Sequence, residues 1–298
     1  MGIDRADDAD LPPDMHPVSA AGRHGARGGG VQAEARSREE YDADLRAAVA
    51  AWDESTPRFR GLWAEYHRRW PPEERPPVDR SADPPGSWRG EGSRFLDCAA
   101  NEQTDRECDR IAVRERDRIS PALREIESRD PDRHLVGFDH RLKCRDRLKD
   151  KVAEVIETPG RSPKDAVSLV PDAIRYTFQY DENRYAGGVS ADIERLKDHG
   201  FKLARLKNSW SHDQYKGINS QWIDSETGQR FEVQFHTRAS FEAKQLTHGA
   251  YERLRSGQAD EFEEMVLEAF QRKVSAAVPV PPGTAHIPDY PERGKRAG

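Results

Sequence analysis

The segment Arg230–His236 has the sharpest alternation of polar and apolar side chains in the sequence. If this segment forms a strand, its apolar face consists of Phe231, Val233 and Phe235. Its polar face consists of Arg230, Glu232, Gln234 and His236. Two interpretations stay open. Periodicity alone favours a strand with one solvent-facing side, whereas the chemistry favours a strand that presents a carboxylate, an amide and an imidazole to a cleft.

A second segment, residues 141–151, contains six cationic side chains in eleven residues. Arg141 and Lys143 are two residues apart on a predicted strand and so share one face, and Lys151 follows on the next predicted helix. Arg and Lys neutralise phosphate oxygens and donate hydrogen bonds to them, so this set could bind a polyphosphate. The alternative is a solvated, salt-bridged helix face, because two aspartates lie among the cations.

A third segment, Tyr215–Asn219, places a glycine-containing turn before a predicted strand and a large aromatic side chain at its start. Taken alone, this is a weak indication of a binding loop. The neighbouring tryptophans, Trp210 and Trp222, are more typical of a protein core than of a ligand platform.

The elements that would position these segments lie between residues 134 and 277, where strand-like runs alternate with helical ones. Strands are predicted at 134–143, 168–180, 201–207, 219–224 and 229–237. Helices are predicted at 145–157, 190–199, 240–255 and 260–275. The last two strands form a hairpin with a Gly-containing turn. This pattern predicts an α/β (α+β) fold with a mixed sheet flanked by helices, in a domain of ordinary size.

The rest of the chain differs from this core in composition. Residues 1–36 are predicted to be a disordered tail, because they almost lack large apolar side chains. Apolar residues at helical spacing predict a helical segment over 37–70, and Pro and Gly predict a linker over 71–92. Residues 93–133 predict a charged helical segment of one or two helices, and residues 278–298 a Pro-rich tail.

The composition of the 298-residue chain excludes some classes of protein. No stretch approaches the ~20 consecutive apolar residues that a membrane-spanning helix needs. The net charge of −6 argues against non-specific binding to nucleic acid. Three scattered cysteines, Cys98, Cys108 and Cys144, predict neither a disulfide framework nor a zinc site. The N-terminus has no apolar signal region, which predicts a cytoplasmic protein or one secreted by another route.

The order of the chemical segments resembles the RelA/SpoT nucleotide pyrophosphokinase domain over roughly residues 134–255. The first motif of that family is Arg-x-Lys with a further Lys eight residues later, and Arg141, Lys143 and Lys151 match its spacing. The second motif is an Asp before Gly-Ile-Arg on a strand. The segment Asp172-Ala-Ile-Arg175 keeps the Ile and the Arg, with the Asp two positions closer, a shift that preserves the strand face.

The third and fourth motifs of the family are Gly-Tyr-x-Ser-Leu-His and Glu-x-Gln-x-Arg-Thr. The segment Tyr215–Asn219 keeps the tyrosine but lacks the preceding glycine and the histidine. The segment Glu232–Thr237 keeps the Glu and the Gln and has His236 in place of the arginine. These departures resemble the divergent small synthetases and the RelA-like toxin domains of actinobacterial and phage proteins.

The resemblance implies an enzyme that transfers the β,γ-pyrophosphate of ATP to a 3′-hydroxyl of a nucleotide acceptor. It implies four ligands of the donor phosphates: Arg141, Lys143, Lys151 and Arg175. Asp172 and Glu232 would bind Mg²⁺, and Glu232 would also accept the proton of the hydroxyl. The remaining catalytic residues, Gln234 and His236, would orient Glu232 or touch phosphate.

For the acceptor, the resemblance implies contacts with Tyr215, which would stack on the base, and with Asn219. The acceptor itself stays open between a guanine nucleotide, an adenine nucleotide and the 3′ end of tRNA. The last two would make the protein a toxin, for which an antitoxin, or an oligomer, is a further partner left open. Residues 1–133 lack the His-Asp cluster of a hydrolase, so we expect synthesis only. The alternative is a catalytically inactive nucleotide-binding module, which Asn219 and the shifted Asp172 favour.

Overall fold

The computed structural model describes residues 80–90, 92–157, 161–257 and 259–291, together with single positions between residues 40 and 68. The predicted tail at 1–36 lies outside the described residues, as do most of the predicted helical segment 37–70 and residues 71–79 of the predicted linker. The chain forms two compact units. The first contains the described positions before residue 75, residues 213–215 and residues 242–278, and the second contains the remainder.

The second unit is built on a five-stranded mixed sheet with the order β3-β4-β7-β6-β5. Its strands are β3 (Arg133–Val136), β4 (Arg175–Tyr180), β5 (Phe201–Asn208), β6 (Ile218–Asp224) and β7 (Arg230–Thr237). β4 and β7 are parallel, and the other neighbours are antiparallel. Two short strands, β1 (Trp88–Arg89) and β2 (Phe95–Leu96), form a separate pair. A mixed sheet flanked by helices confirms the predicted α+β class.

The described helices are α1 (Cys98–Arg114), α2 (Ser120–Ser128), α3 (Arg145–Ile156), α4 (Pro163–Ser168), α5 (Tyr185–Asp198), α6 (Arg238–Arg255) and α7 (Glu261–Ala276). A π-helical segment, Glu115–Ile119, joins α1 to α2. The charged helical segment is thus a nearly continuous helical run, which Asp97 caps by accepting a hydrogen bond from Ala100 N. Within the described part of the chain, no helix is long and apolar enough to cross a membrane.

One face of the sheet is an apolar core. The three apolar side chains of β7 that alternation assigned to one face, Phe231, Val233 and Phe235, are fully buried. Phe235 stacks on Phe178 of β4 with ring centroids 6.3 Å apart, and Phe231 meets Phe201 of β5 edge-on at 4.9 Å. Because β7 is central in the sheet, its apolar residues contact aromatic side chains from strands on both sides of it.

A charged pair is buried inside the same unit. Arg133 Nη1 lies 2.5 Å from Asp192 Oδ1, and both side chains are 0% exposed. The Tyr180 hydroxyl donates a hydrogen bond to Asp192 Oδ2 at 2.7 Å. These contacts join β3, β4 and α5. Arg195 Nη1 also donates to Asp192 Oδ1 at 2.6 Å, so Asp192 pairs with two arginines, whereas Arg133 has Asp192 as its counterion.

Two predicted strands are shorter than their patterns indicated. The predicted strand 134–143 ends at Val136, because Gly137 adopts a left-handed φ of 63° and a 3₁₀ turn, Phe138–His140, follows. Arg141 and Lys143 therefore do not lie on a continuous strand. They flank a single bridge between Leu142 and Ile174.

The predicted strand 168–180 begins only at Arg175. A capping box formed by Ser162 and Asp165 starts helix α4, and Pro171 opens the 3₁₀ turn Pro171–Ala173. Asp172 accordingly lies in this turn, immediately before β4, rather than on a strand.

The end of the chain differs from the predicted Pro-rich tail. Residues 279–291, here called the C-terminal strap, pack along the edge strand β5. Leu206 and Tyr290 exchange two backbone hydrogen bonds of 2.8 and 2.9 Å. Asn208 Nδ2 donates to the carbonyls of Thr284 and Ile287 at 2.8 and 2.9 Å. The strap thus satisfies an edge that would otherwise be open for pairing, which its Pro content does not reveal.

The first unit has a core of its own. It consists of the buried side chains Leu45, Ala48, Ala250, Val266, Leu267, Phe270 and Val274. Helix α7 starts at Asp260, which forms a capping box with Glu263. This core combines positions from the predicted helical segment with the two last predicted helices of the chain.

Candidate active site

The polar side chains of β7 are buried. Glu232, Gln234 and His236 are 9%, 5% and 0% exposed. The interpretation of β7 as a strand with a solvent-facing side is wrong, because β7 is central in the sheet and its polar face is covered as well. Buried polar groups need partners, so the contacts of these three residues identify what this face is built to do.

Arg175 connects two carboxylates on this face. Its Nε donates to Glu232 Oε1 at 2.8 Å, and its Nη2 donates to Asp172 Oδ2 at 3.0 Å. Lys143 Nζ lies 2.9 Å from the same Asp172 oxygen, and Gln234 Nε2 donates to Glu232 Oε1 at 2.7 Å. The parallel register that places Arg175 directly opposite Glu232 produces this arrangement. These five residues are called the Arg175 cluster below.

Each carboxylate of the cluster keeps one oxygen that makes no hydrogen bond to another described residue, namely Asp172 Oδ1 and Glu232 Oε2. Among residues 80–291 that the structure describes, no group of three or more His, Cys, Asp or Glu side chains could hold a metal ion. Mg²⁺ is commonly held by one or two carboxylates, with phosphate and water oxygens completing the octahedron. The two carboxylates of the cluster are therefore of the ligand type that Mg²⁺ takes together with a polyphosphate.

The cations around Asp172 control its charge. Burial alone would raise the pKa of Asp172, but Lys143, then Arg175 and Lys151, outweigh burial and hold the pKa below its usual range. Two of the four predicted donor ligands, Lys143 and Arg175, thus contact this carboxylate.

The pH dependence of stability follows from this shift. Because the folded pKa of Asp172 is depressed, its charge stabilises the fold above the unfolded pKa of ~3.9, and this contribution is lost as the pH falls through the folded pKa. Asp172→Asn is therefore expected to lower the free energy of unfolding at pH ~7, with a difference from wild type that shrinks below pH ~4. Urea unfolding at several pH values measures this, with exposed Asp198→Asn as the control. A difference that stays constant down to pH ~3 would contradict the assignment.

Arg141, the fourth predicted donor ligand, is held apart from the cluster. Its Nε donates to Glu115 Oε1 at 2.7 Å, and its guanidinium lies over the ring of Phe138, 4.4 Å from the centroid. Sequence reasoning missed Glu115, because its neighbours in the chain are charged and typical of a solvated helix.

His236 contacts the start of the next helix. Its Nδ1 lies 2.9 Å from the Ser240 hydroxyl, and it is four residues, ~13 Å, along β7 from Glu232. Gly217 approaches it closely: a Cβ there would lie 2.7 Å from His236 Cε1, and the glycine has a φ of +146°. The catalytic role of His236 stays a prediction, whereas Gln234 does bond Glu232.

The two predicted acceptor ligands belong to different units. Asn219 lies on β6 directly opposite Gln234, so the two share the polar face. Tyr215 belongs to the first unit, and its stacking role stays a prediction. Ile218, the first residue of β6, is fully buried.

A cavity of about 320 Å³ opens on the edge of the sheet. It is lined by residues of β5, β6, β7 and the C-terminal strap: Ala204, Arg205, Leu206, Lys207, Gln221, Arg230, Asp289, Tyr290 and Pro291. Gln221 is paired with Arg205 on one side and with Glu232 on the other, so the cavity begins one strand away from the Arg175 cluster. Its three cations make no ion pair with any described residue.

Comparison with known proteins gives structural similarities at low sequence identity. The small alarmone synthetase 1 from Bacillus subtilis is similar with 14% identity and a TM-score of 0.43, over 59% of this chain and 90% of that one. The same synthetase bound to its product pppGpp is similar with 12% sequence identity and a TM-score of 0.32, over 46% of this chain and 70% of that one. A GTP pyrophosphokinase family protein from Streptococcus pneumoniae is similar with 15% sequence identity and a TM-score of 0.42, over 61% of this chain and 90% of that one.

No protein-family model matches the sequence. No curated protein matches it either. At these values, the reaction has to be inferred from the residues of the site itself.

Proposed function

We propose that this chain is an ATP-dependent pyrophosphotransferase that moves the β,γ-pyrophosphate of ATP to a 3′-hydroxyl of a nucleotide acceptor, without a hydrolase activity. The observation that carries this proposal is the Arg175 cluster. Three sequence segments that resemble the first, second and fourth RelA/SpoT motifs contribute Lys143, Asp172 with Arg175, and Glu232 to one contact network. Residues from distant motifs that converge on one point are expected of a catalytic centre.

The cations of the cluster suit a polyphosphate donor. Lys143 and Arg175 lie within hydrogen-bond distance of the same carboxylate oxygen, and Lys151 contributes to the low pKa of that carboxyl. Phosphate oxygens can replace the carboxylate as partners of these donors, because both anions accept charge-assisted hydrogen bonds. Asp172 and Glu232 would hold Mg²⁺, which when bound supplies charge neutralisation for the phosphates.

Glu232 is the proposed general base. In the transfer, the acceptor 3′-oxygen forms a bond to the β-phosphorus of ATP while the bond from that phosphorus to the α,β-bridging oxygen breaks. AMP leaves, and the hydroxyl proton passes to the free Oε2 of Glu232. Arg175 and Gln234 fix the other oxygen, so the orientation of the carboxylate is set before the acceptor arrives.

The acceptor would extend from Glu232 across the sheet. Asn219 would contact its nucleoside, and the edge cavity with Arg205, Lys207 and Arg230 could bind its phosphates. This charge favours an acceptor that carries its own phosphate groups. Guanine and adenine nucleotides and the 3′ end of tRNA are the acceptors to be compared, and a toxin role with an antitoxin partner depends on that outcome.

A catalytically inactive nucleotide-binding module is the second candidate. It is favoured by Asn219 and the shifted Asp172, and by Arg175, whose side chain donates hydrogen bonds to both carboxylates. Incubation of γ-labelled ATP with mixed nucleotides, followed by thin-layer chromatography, separates the two. Transfer of label to a new spot supports the enzyme, whereas ATP binding without a new spot would leave only the module.

Lys143→Ala is expected to weaken ATP binding by ~10-fold or more, because a hydrogen bond to a charged group contributes ~1.5–3 kcal/mol. Isothermal titration with MgATP measures this change. Lys202→Ala, at an exposed position of β5, is the matched control and should leave the affinity unchanged. If Lys143→Ala and wild type bind ATP with equal affinity, the basic segment does not bind the donor, and its alternative interpretation as a solvated, salt-bridged helix face is correct.

A further inference from the structure

The register of the sheet places four polar residues in one row across four strands. Arg175 of β4 is paired with Glu232 of β7. Glu232 is paired with Gln221 of β6, which is paired in turn with Arg205 of β5. Because the side chains of directly paired residues lie on the same face of a sheet, Glu232 lies between a cation on the β4 side and a cation on the β5 side.

The edge cavity collects further cations on this same face. Lys207 of β5 is paired with Asn219, which shares the polar face, and Arg230 precedes Glu232 by two residues on β7. Lys207 and Arg230 therefore both lie on the face of Glu232. Together with Arg205 they line the cavity, and none of the three side chains makes an ion pair or hydrogen bond with another described residue.

Protection of an open strand edge does not account for these three cations. Charged side chains on an edge strand hinder its pairing with another chain. Here, however, the C-terminal strap already pairs with β5 at Leu206, and Arg230 lies on the central strand of the sheet. Cations held together in a cleft without counterions instead attract an anionic ligand.

The C-terminal strap forms one wall of the cavity. Asp289, Tyr290 and Pro291 line it, and Asp289 Oδ1 accepts a hydrogen bond from Asn208 N at 2.8 Å. The carboxylate thus anchors the strap to β5, and it makes no ion pair with a cation of the cavity or with any other described residue. Since three cations face this single carboxylate, the cavity keeps an excess of positive charge.

We propose that the edge cavity, completed by the C-terminal strap, binds the 5′-phosphates of the acceptor, and that the acceptor is a free nucleoside 5′-diphosphate or 5′-triphosphate. This inference rests on the proposed function, because it takes Glu232 as the base that receives the proton of the 3′-hydroxyl. It assigns a part of the acceptor site to the strap, which lies outside the region of sequence resemblance.

The geometry of the row supports this class of acceptor. A nucleotide whose 3′-hydroxyl lies at Glu232, and which extends across Gln221, brings its 5′-phosphates to Arg205, two strand spacings or ~10 Å away. The donor cations lie on the opposite side of Glu232, so the two substrates do not compete for them. The cavity volume of about 320 Å³ is near the ~300 Å³ lower limit of small-molecule sites, which suits a phosphate chain.

The charge of the cavity distinguishes a free nucleotide from the 3′ end of tRNA. The terminal nucleotide of tRNA carries a single phosphodiester at its 5′ side, with one negative charge. A 5′-diphosphate or 5′-triphosphate carries more charge and offers more oxygens to three cationic side chains. The structure therefore favours the free nucleotide.

The test compares acceptors that differ only in their 5′-phosphates. The full chain is saturated with Mg²⁺ and α,β-methylene-ATP, whose α,β bridge cannot break, and is titrated calorimetrically with guanosine, adenosine and their 5′-mono-, di- and triphosphates. For at least one of the two bases, affinity should rise ~10-fold or more from the monophosphate to the diphosphate, because the added phosphate forms charge-assisted hydrogen bonds.

Two variants of the cavity should shift this affinity in opposite directions. Lys207→Ala should weaken binding of the diphosphate and triphosphate by ~10-fold or more and leave binding of the nucleoside unchanged. Asp289→Asn should strengthen it by roughly 2- to 5-fold, because the amide oxygen can still accept from Asn208 N but no longer repels phosphate. The control is Lys202→Ala, an exposed cation of β5 that does not line the cavity, which should change neither affinity.

Several results would overturn the phosphate site. One is an affinity that does not depend on the number of phosphates, and another is an equal loss of nucleoside and triphosphate affinity in Lys207→Ala. Weaker binding of the nucleoside in Asp289→Asn would show that the cavity takes the base instead. Transfer to the 3′ end of tRNA but to no free nucleotide would overturn this inference alone, whereas phosphate-dependent binding without any transfer by the wild type would contradict the proposed function.

Discussion

Glu232→Gln is expected to lower the rate of pyrophosphate transfer by ~10²–10⁴-fold, because the amide cannot accept the proton of the 3′-hydroxyl. The substitution also removes one of the two carboxylates that fit Mg²⁺. Since Glu232 is only 9% exposed and accepts hydrogen bonds from Arg175 and Gln234, some stability should be lost, ~1–3 kcal/mol. Single-turnover rates with labelled ATP, together with urea unfolding, separate these two effects.

The control for this variant is Glu182→Gln, which neutralises an exposed glutamate of the same unit. It should retain the wild-type rate and stability. If Glu232→Gln folds and transfers pyrophosphate at the wild-type rate, Glu232 is not the base and the Arg175 cluster is a structural network.

Asp192→Asn is expected to lower the free energy of unfolding by ~3–5 kcal/mol, because it leaves the charge of Arg133 buried without a counterion. Both side chains are 0% exposed, and Arg133 Nε has no hydrogen-bond partner in the structure. β3 pairs with β4, which carries Arg175, so this loss should also reduce activity at elevated temperature. Urea unfolding at neutral pH measures the change.

Glu194→Gln, on the exposed side of the same helix, is the matched control and should change stability little. Replacing both buried charges, as in Arg133→Met with Asp192→Leu, should recover part of the lost stability, because no fully buried charge remains, whereas the Tyr180 hydroxyl and the partly exposed Arg195 still lose a partner. A double variant as unstable as Asp192→Asn would show that packing, rather than the unpaired charge, determines the cost.

The local patterns of the sequence predicted the sheet well where a strand has one apolar face. The hairpin was predicted at 219–224 and 229–237, and it lies at Ile218–Asp224 and Arg230–Thr237. Alternation assigned Phe231, Val233 and Phe235 to the core, because period two is a property of the strand itself. Burial of Glu232 and His236 was not predictable in this way. It depends on the central position of β7, which distant strands determine.

The structure brings four of the predicted site residues into contact, and their catalytic roles stay predictions. The parallel register of β4 and β7 places Arg175 opposite Glu232, and the side chain of Arg175 reaches Asp172, which Lys143 also contacts. The orientation of Arg141 depends on Gly137 and on Glu115, whose partner lies 26 residues away in the sequence. No local pattern marks such a contact, since a charged helix looks the same whether one of its carboxylates is solvated or buried.

The C-terminal strap shows a further limit of composition. Residues 278–298 are rich in Pro, which is typical of a tail, yet Ile287 is buried and Tyr290 pairs with Leu206 of the edge strand. Pairing with an edge depends on the presence of that edge, so only the assembled sheet reveals it.

Mass spectrometry of the products formed from ATP and an equimolar mixture of nucleotides tests the proposed function most directly. The transferase account predicts AMP and, in equal amount, an acceptor heavier by one pyrophosphoryl group, with the mass of the acceptor identifying its base. Both products should be lost in Glu232→Gln and kept in Glu182→Gln. Formation of ADP and phosphate, or no change in ATP at all, would contradict pyrophosphate transfer.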